Sequence, residues 1–243
     1  MSDELTAAYY TSRRAAWMAA FDEDAGHLRT FLARTCGEAD AILLQARQRF
    51  AALIPRLPYI GGDENHLTGE LVRAARCLAF YQAMQARGKT AAEAGSVLYD
   101  TVAAQVSQLG PTTQRWTLAE LTRRRSERAA RSQRRLYSAD WVYTFVAGDG
   151  ETFDYGYDFA ECAAQKLYHA HGADEFLPYY CFLDFAASKA AGLGLERTMT
   201  LAEGHDHCDH RFKRGRETGQ DWPPPWLRQT QSRCPAAIVR RRA

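Results

Sequence analysis

No run of about 18 apolar residues occurs anywhere in the chain, so no membrane-spanning helix is expected. The first twenty residues, MSDELTAAYYTSRRAAWMAA, are polar and amphipathic and lack the apolar centre of a secretory signal. The six cysteines, Cys36, Cys77, Cys162, Cys181, Cys208 and Cys234, form no CxxC pair. Together these absences predict a cytoplasmic protein with reduced thiols and no membrane partner. Charge is also scarce in the net: a balance of +2 does not point to a nucleic-acid partner. No internal repeat is present.

The 243 residues, 46% hydrophobic and 25% charged, are ordinary globular chemistry for one large domain or two small ones. A chain of this length buries roughly 70% of its unfolded surface and needs no disulfide to fold.

Residues 4 to 55 read as helices, with Tyr9, Trp17 and Phe21 on one apolar face and Phe31, Ala39, Ile42, Leu43, Ala46, Phe50 and Leu53 on a longer one. Pro55 and Pro58 end this stretch. In the loop LPYIGGDENH, Gly61 and Gly62 admit backbone angles that other residues resist, and Asp63 or Asn65 is placed to cap the next helix. That helix spans about Leu67 to Gln85. Thr90 with Glu93 resembles a capping box for a further helix to about Leu109, before Gly110-Pro111. Thr117 to Arg135 is a helix crowded with arginine, in which Glu120 and Glu127 can pair one turn away. It reads as a solvated connector, or as a docking surface for an acidic partner or a second subunit of a homo-oligomer.

The pattern then changes. Asp140 to Gly148 is aromatic and β-branched on both faces and predicts a buried strand. Asp149-Gly150 is a turn signal, Thr152 to Tyr157 a partner strand, and Asp158 to His169 a helix. Pro178 opens another helix, to about Ala190. Leu195 to Gly215 reads as strand, tight polar turn and strand. Beyond Gly215, Trp222 and Trp226 flank three prolines and are placed to pin the tail. The expected fold is α+β. A helical region covers 1–136, and a small α/β subdomain with an antiparallel sheet covers 137–215. An extended tail, 216–243, includes the cluster Arg240, Arg241 and Arg242.

The chemistry gathers in 158–215. Cys181, Asp184 and Ser188 share one helix face, and an aspartate in so apolar a helix needs a partner. It is either a structural carboxylate or a general base beside Cys181. Cys162, in the first turns of its predicted helix, sits where unpaired N–H groups favour thiolate. In the returning strand Cys208, His210 and Phe212 share a face, opposite Asp209, Arg211 and Lys213. Cys208 and Arg211 therefore reach one site only across a bulge or at a strand end. Cys208 is expected to face the core, with Asp209 and Arg211 in a polar ladder with Thr198 or Arg197. His205, Asp206, His207 and His210 form a dense polar group, either solvated or supplying the base for a thiol. Asn65 and His66 are either a helix cap or part of a site. Three cysteines with His205 or His207 would make a zinc site, but the spacings match no standard zinc pattern, so no metal or cofactor is expected.

Cys162 before a helix, Cys181-x-x-Asp184, Arg197 to Gly204 (RTMTLAEG) and Cys208-Asp209-His210-Arg211-Phe212 together resemble the L-2-amino-thiazoline-4-carboxylic acid hydrolase family. The loop IGGDENH and the segment ARCLAFYQAMQARGKTAAEA resemble its N-terminal half, so the likeness spans about residues 55 to 214. The resemblance implies hydrolytic opening of a small cyclic amidine or imidate-like ring, at a C–N or ring C–S bond, in small-molecule metabolism. One departure stands out: His210 replaces the phenylalanine of the CDxR pattern, which adds a titratable group and leaves the namesake substrate open. On this reading Cys208 or Cys181 adds to the ring carbon or activates a water, with Cys162 as a third catalytic thiol. His207 or His210 moves the proton, and Asp184 orients the imidazole or shuttles a proton. Arg211 or Arg197 binds the substrate carboxylate, with Thr198, Thr200, Asp209, His210 and Asn65 as further substrate contacts. The alternative is a sensor module that binds a small molecule or a metal without catalysis.

Overall fold

The computed structural model describes residues 3–35, 37–109 and 117–227. Cys36, Cys234, the Gly110-Pro111 break and the Arg240–Arg242 cluster lie outside the described residues. The fold is α+β, with helices first and a four-stranded antiparallel sheet in the second half.

Three helices open the chain, α1 (Asp3–Ser12), α2 (Arg14–Thr35) and α3 (Ala39–Leu53). Their buried residues, among them Phe21, Leu28, Ile42, Ala46 and Phe50, fall at helical spacing and build one side of the core. α4 (Thr68–Gln85) is buried on nearly every face, as expected of a helix at the centre of a core. Neither Asp63 nor Asn65 is its N-cap. Asp63 is drawn away to Tyr9 and Arg13, and the Asn65 Oδ1 accepts the Leu67 N–H at 2.9 Å, one residue early. Gly61 and Gly62, at φ +114° and +58°, make the turn that lets Asn65 do so. α5 (Ala91–Leu109) and α6 (Leu118–Ser132) follow, the latter opened by the capping box of Thr117 and Glu120. Among the described residues no helix is long and apolar enough to cross a membrane.

The sheet has the order β1-β2-β4-β3, with β1 (Val142–Ala147), β2 (Tyr155–Glu161), β3 (Leu193–Glu196) and β4 (Cys208–Arg214). α7 (Ala163–Ala170) and α8 (Leu177–Ala190) lie between β2 and β3. The apolar run at 140–148 is an edge strand, not a buried one. Its free edge is closed by α6, where Ser132 and Gln133 donate to the Tyr143 carbonyl at 3.0 and 2.8 Å and Ser132 Oγ accepts the Tyr143 N–H. The segment 158–161, read as helix, is strand. Tyr155, Tyr157 and Phe159 keep period-two alternation, and pairing with β1 on one side and β4 on the other carries the strand to Glu161. The hairpin also differs from its expected form. β3 ends at Glu196, and residues 197–207 leave the sheet as a loop containing a single 3-10 turn, Leu201–Glu203. One face of the sheet carries Tyr143, Tyr155, Tyr157, Phe159, His210 and Phe212 and joins the helical core, which runs without interruption from Tyr10 to Leu195.

Candidate functional site

α8 supplies the floor of the site. Pro178 sits in its first turn, where a missing N–H costs nothing. Cys181 and Asp184 then stand one turn apart on a face turned toward the 197–203 loop. Arg197 is nearly fully buried, lies 4.8 Å over the Phe185 ring, and donates to the Cys181 carbonyl at 3.1 Å and to Asp184 Oδ2 at 3.0 Å. His210 arrives from β4, its Nε2 3.4 Å from both Asp184 Oδ2 and Arg197 Nη1. The His210 Nδ1 is buried with no partner, an unmet demand of the kind that a water or ligand normally satisfies.

Asp184 lies deep among protein atoms, yet 40% of its side-chain surface is accessible. Burial alone would raise its pKa. The His210 hydrogen bond and the Arg197 charge outweigh burial and hold the carboxyl below its usual value. A charged carboxylate is thereby kept ready inside the protein.

The 197–203 loop is fixed by a second carboxylate. Asp209 accepts the Thr198 N–H at 2.8 Å, the Thr198 hydroxyl at 2.7 Å and the Met199 N–H at 2.6 Å. Burial opposes its charge, but these bonds more than compensate and lower its pKa. Thr200 closes the loop as a small cap, accepting the Glu203 N–H at 3.1 Å and donating to the Glu203 carboxylate at 2.7 Å. The Leu201 N–H so positioned donates to Cys208 Sγ at 3.1 Å.

Cys162, Cys181 and Cys208 lie within electrostatic reach of one another and of Asp184. All three are thiols at rest. Burial pushes Cys208 up to about 11 and Cys181 well above the ordinary thiol value. Cys162 occupies the N-cap of α7 without closing a regular cap hydrogen bond. Burial raises it too, partly countered by the Gln165 and Ala164 N–H groups and the Trp141 indole. Among the described residues no three His, Cys, Asp or Glu side chains are grouped to hold a metal ion.

A cavity of about 320 Å³ opens over this cluster, lined by Cys181, Phe185, Arg197, Thr198 and Thr200. Its remaining wall is the tail, through Gln220, Pro225 and Trp226. Nothing in the sequence marks Gln220 as a wall residue. Trp222 and Trp226 pack on Phe182 and Tyr179 of α8, and Asp221 is held by Tyr99 and Lys189.

The other candidates lie apart. The β4 register is regular against both neighbours, so Arg211 points to the opposite face from Cys208 and pairs with Asp158 at 2.7 Å. The His207 imidazole pairs with Asp206 at 2.6 Å, next to the exposed turn. Asn65 is engaged by the Leu67 N–H and by Asp140, and lines a different cavity.

A family model described as L-2-amino-thiazoline-4-carboxylic acid hydrolase matches residues 69–212, more than half of the chain. The chain belongs to this family. No curated protein and no solved structure matches it.

Proposed function

We propose that this member of the thiazoline-carboxylate hydrolase family opens a small cyclic amidine carboxylate in the cavity floored by α8. The observation that carries the proposal is the ionised, partly accessible Asp184, one helical turn from Cys181 and shared between Arg197 and His210. A protonated cyclic amidine is a planar cation with N–H donors on its edge, which an aspartate accepts well. A carboxylate on the same ring is the natural ligand of a guanidinium. Inserting such a zwitterion between Asp184 and Arg197 exchanges one ion pair for two, so neither buried charge is left unpaired.

In this reading the Cys181 thiol adds to the amidine carbon. The new S–C bond forms as the C=N electron pair withdraws to nitrogen, and His210 accepts the thiol proton. The cationic substrate compensates for the high resting pKa of the thiol, because its charge favours the developing thiolate. His210 returns the proton to the departing ring atom, sulfur or nitrogen, and water then releases Cys181 from the opened product. Asp209, Thr198 and Thr200 hold the loop that carries Arg197.

The test is Asp184→Asn, which keeps shape and removes charge. Turnover of 2-amino-thiazoline-4-carboxylate and related cyclic amidine carboxylates should fall about 100-fold or more. His210→Phe, which leaves the Asp184–Arg197 pair in place, should retain the fold and lower turnover, since the thiol then has no imidazole to take its proton. Wild-type turnover by Asp184→Asn, with folding confirmed by circular dichroism, would overturn the reading.

A further inference from the structure

A second cavity, of about 500 Å³, opens between the 60–67 loop, the exit of α6 and the start of β1. It shares no lining residue with the cavity over α8. Four guanidinium groups, Arg128, Arg131, Arg134 and Arg135, line it, against the carboxylates of Glu64 and Asp140. Asp140 is already engaged by the Asn65 amide and the Trp141 N–H, both at 2.8 Å. Arg131 gives one N–H to the Glu64 carbonyl at 2.9 Å, and Arg135 pairs with Glu161. Arg128 and Arg134 are exposed along the cavity wall. Every basic residue from 117 to 135 is arginine.

His66 reports the field in this space. Its side chain is reachable from the cavity, and its Nε2 lies 3.3 Å from the Tyr143 hydroxyl. Partial desolvation of the ring, and then the charges of Arg128, Arg131 and Arg125, push the imidazole down to about 4. The arginine part of this shift marks a positive potential, which favours an anion.

We propose that this cavity binds a phosphorylated small molecule. A monocarboxylate satisfies a single guanidinium fork, whereas several arginines lining one cavity match the multiple oxygens and higher charge of a phosphoryl group. The volume exceeds what phosphate needs and leaves room for an organic part against Tyr137, Trp141 and Tyr143. Trp141 is the wall shared with the thiol cluster, since its indole N–H also acts on Cys162. The proposal goes beyond the hydrolytic reading and does not depend on it.

Calorimetric titration of the full chain with pyrophosphate and with ATP is the test, with inorganic phosphate and citrate as comparisons. Saturable binding of pyrophosphate or ATP is expected, weakening as salt is added. Inorganic phosphate binding as tightly as these would identify the free ion as the occupant and contradict an organic phosphate. The double variant Arg128→Ala/Arg134→Ala, which alters only exposed side chains, should bind at least about tenfold more weakly, equivalent to about 1.4 kcal/mol. Asp184→Asn should bind as the wild type does, which separates this site from the hydrolytic one. In NMR titrations the bound anion should raise the pH at which His66 protonates, since a nearby negative charge favours imidazolium. Absence of saturable binding, unchanged affinity in the double variant, or citrate binding as tightly as pyrophosphate would each overturn the proposal.

Discussion

Asp209 and Asp184 are two charged carboxylates with different duties. Asp209 spends its acceptor capacity on Thr198 and Met199, whereas Asp184 keeps part of its surface accessible. Asp209→Asn should therefore destabilise the fold by about 2 kcal/mol at neutral pH, the usual scale for hydrogen bonds to a charged group, as read by urea unfolding. The folded-state pKa of Asp209 is depressed, so its contribution is present above the unfolded value of about 4 and is lost as pH falls through the lower folded value. The difference between wild type and variant should shrink below about pH 4. At this scale the sequence was partly legible. Asp184 stood out because an acid in an apolar helix needs partners, and Asp209 because alternation set it opposite Cys208. The sequence left Arg197 or Arg211 open as the site's cation, a choice that depended on where the 197–207 loop left the sheet.

β2 and β4 approach each other across a missing side chain. A Cβ at Gly156 would lie 2.5 Å from the His210 carbonyl oxygen and 2.8 Å from Arg211 Cδ, and the carbonyl, being backbone, cannot yield. Gly156→Ala should cost about 2 kcal/mol, the range of overpacking. It should also displace β4, so that His210 loses its place beside Asp184. A thermal melt and an activity assay on the same sample check both effects. The helices were legible from periodicity and caps, because those signals are local. The extension of β2 to Glu161 and the edge position of β1 were not, because sheet neighbours set them.

On the scale of the whole molecule, one hydrophobic core joins the helical half to the sheet. The tail crosses that junction to wall the cavity over α8, seated by Trp222 and Trp226. The family match spans residues 69–212, so the tail wall and the 60–67 loop lie outside it, whereas the four arginines of the second cavity, the thiols, Asp184 and Arg197 lie within the matched region. The reaction assigned to the cavity requires a nucleophile that faces it, and Cys181 lines the cavity whereas Cys208 is turned to the Leu201 N–H. The most direct measurement is the turnover of cyclic amidine carboxylates by Cys181→Ala and Cys208→Ala, each compared with wild type after its fold is verified. The account predicts loss of turnover in Cys181→Ala and a milder defect in Cys208→Ala. Full activity in Cys181→Ala would contradict it.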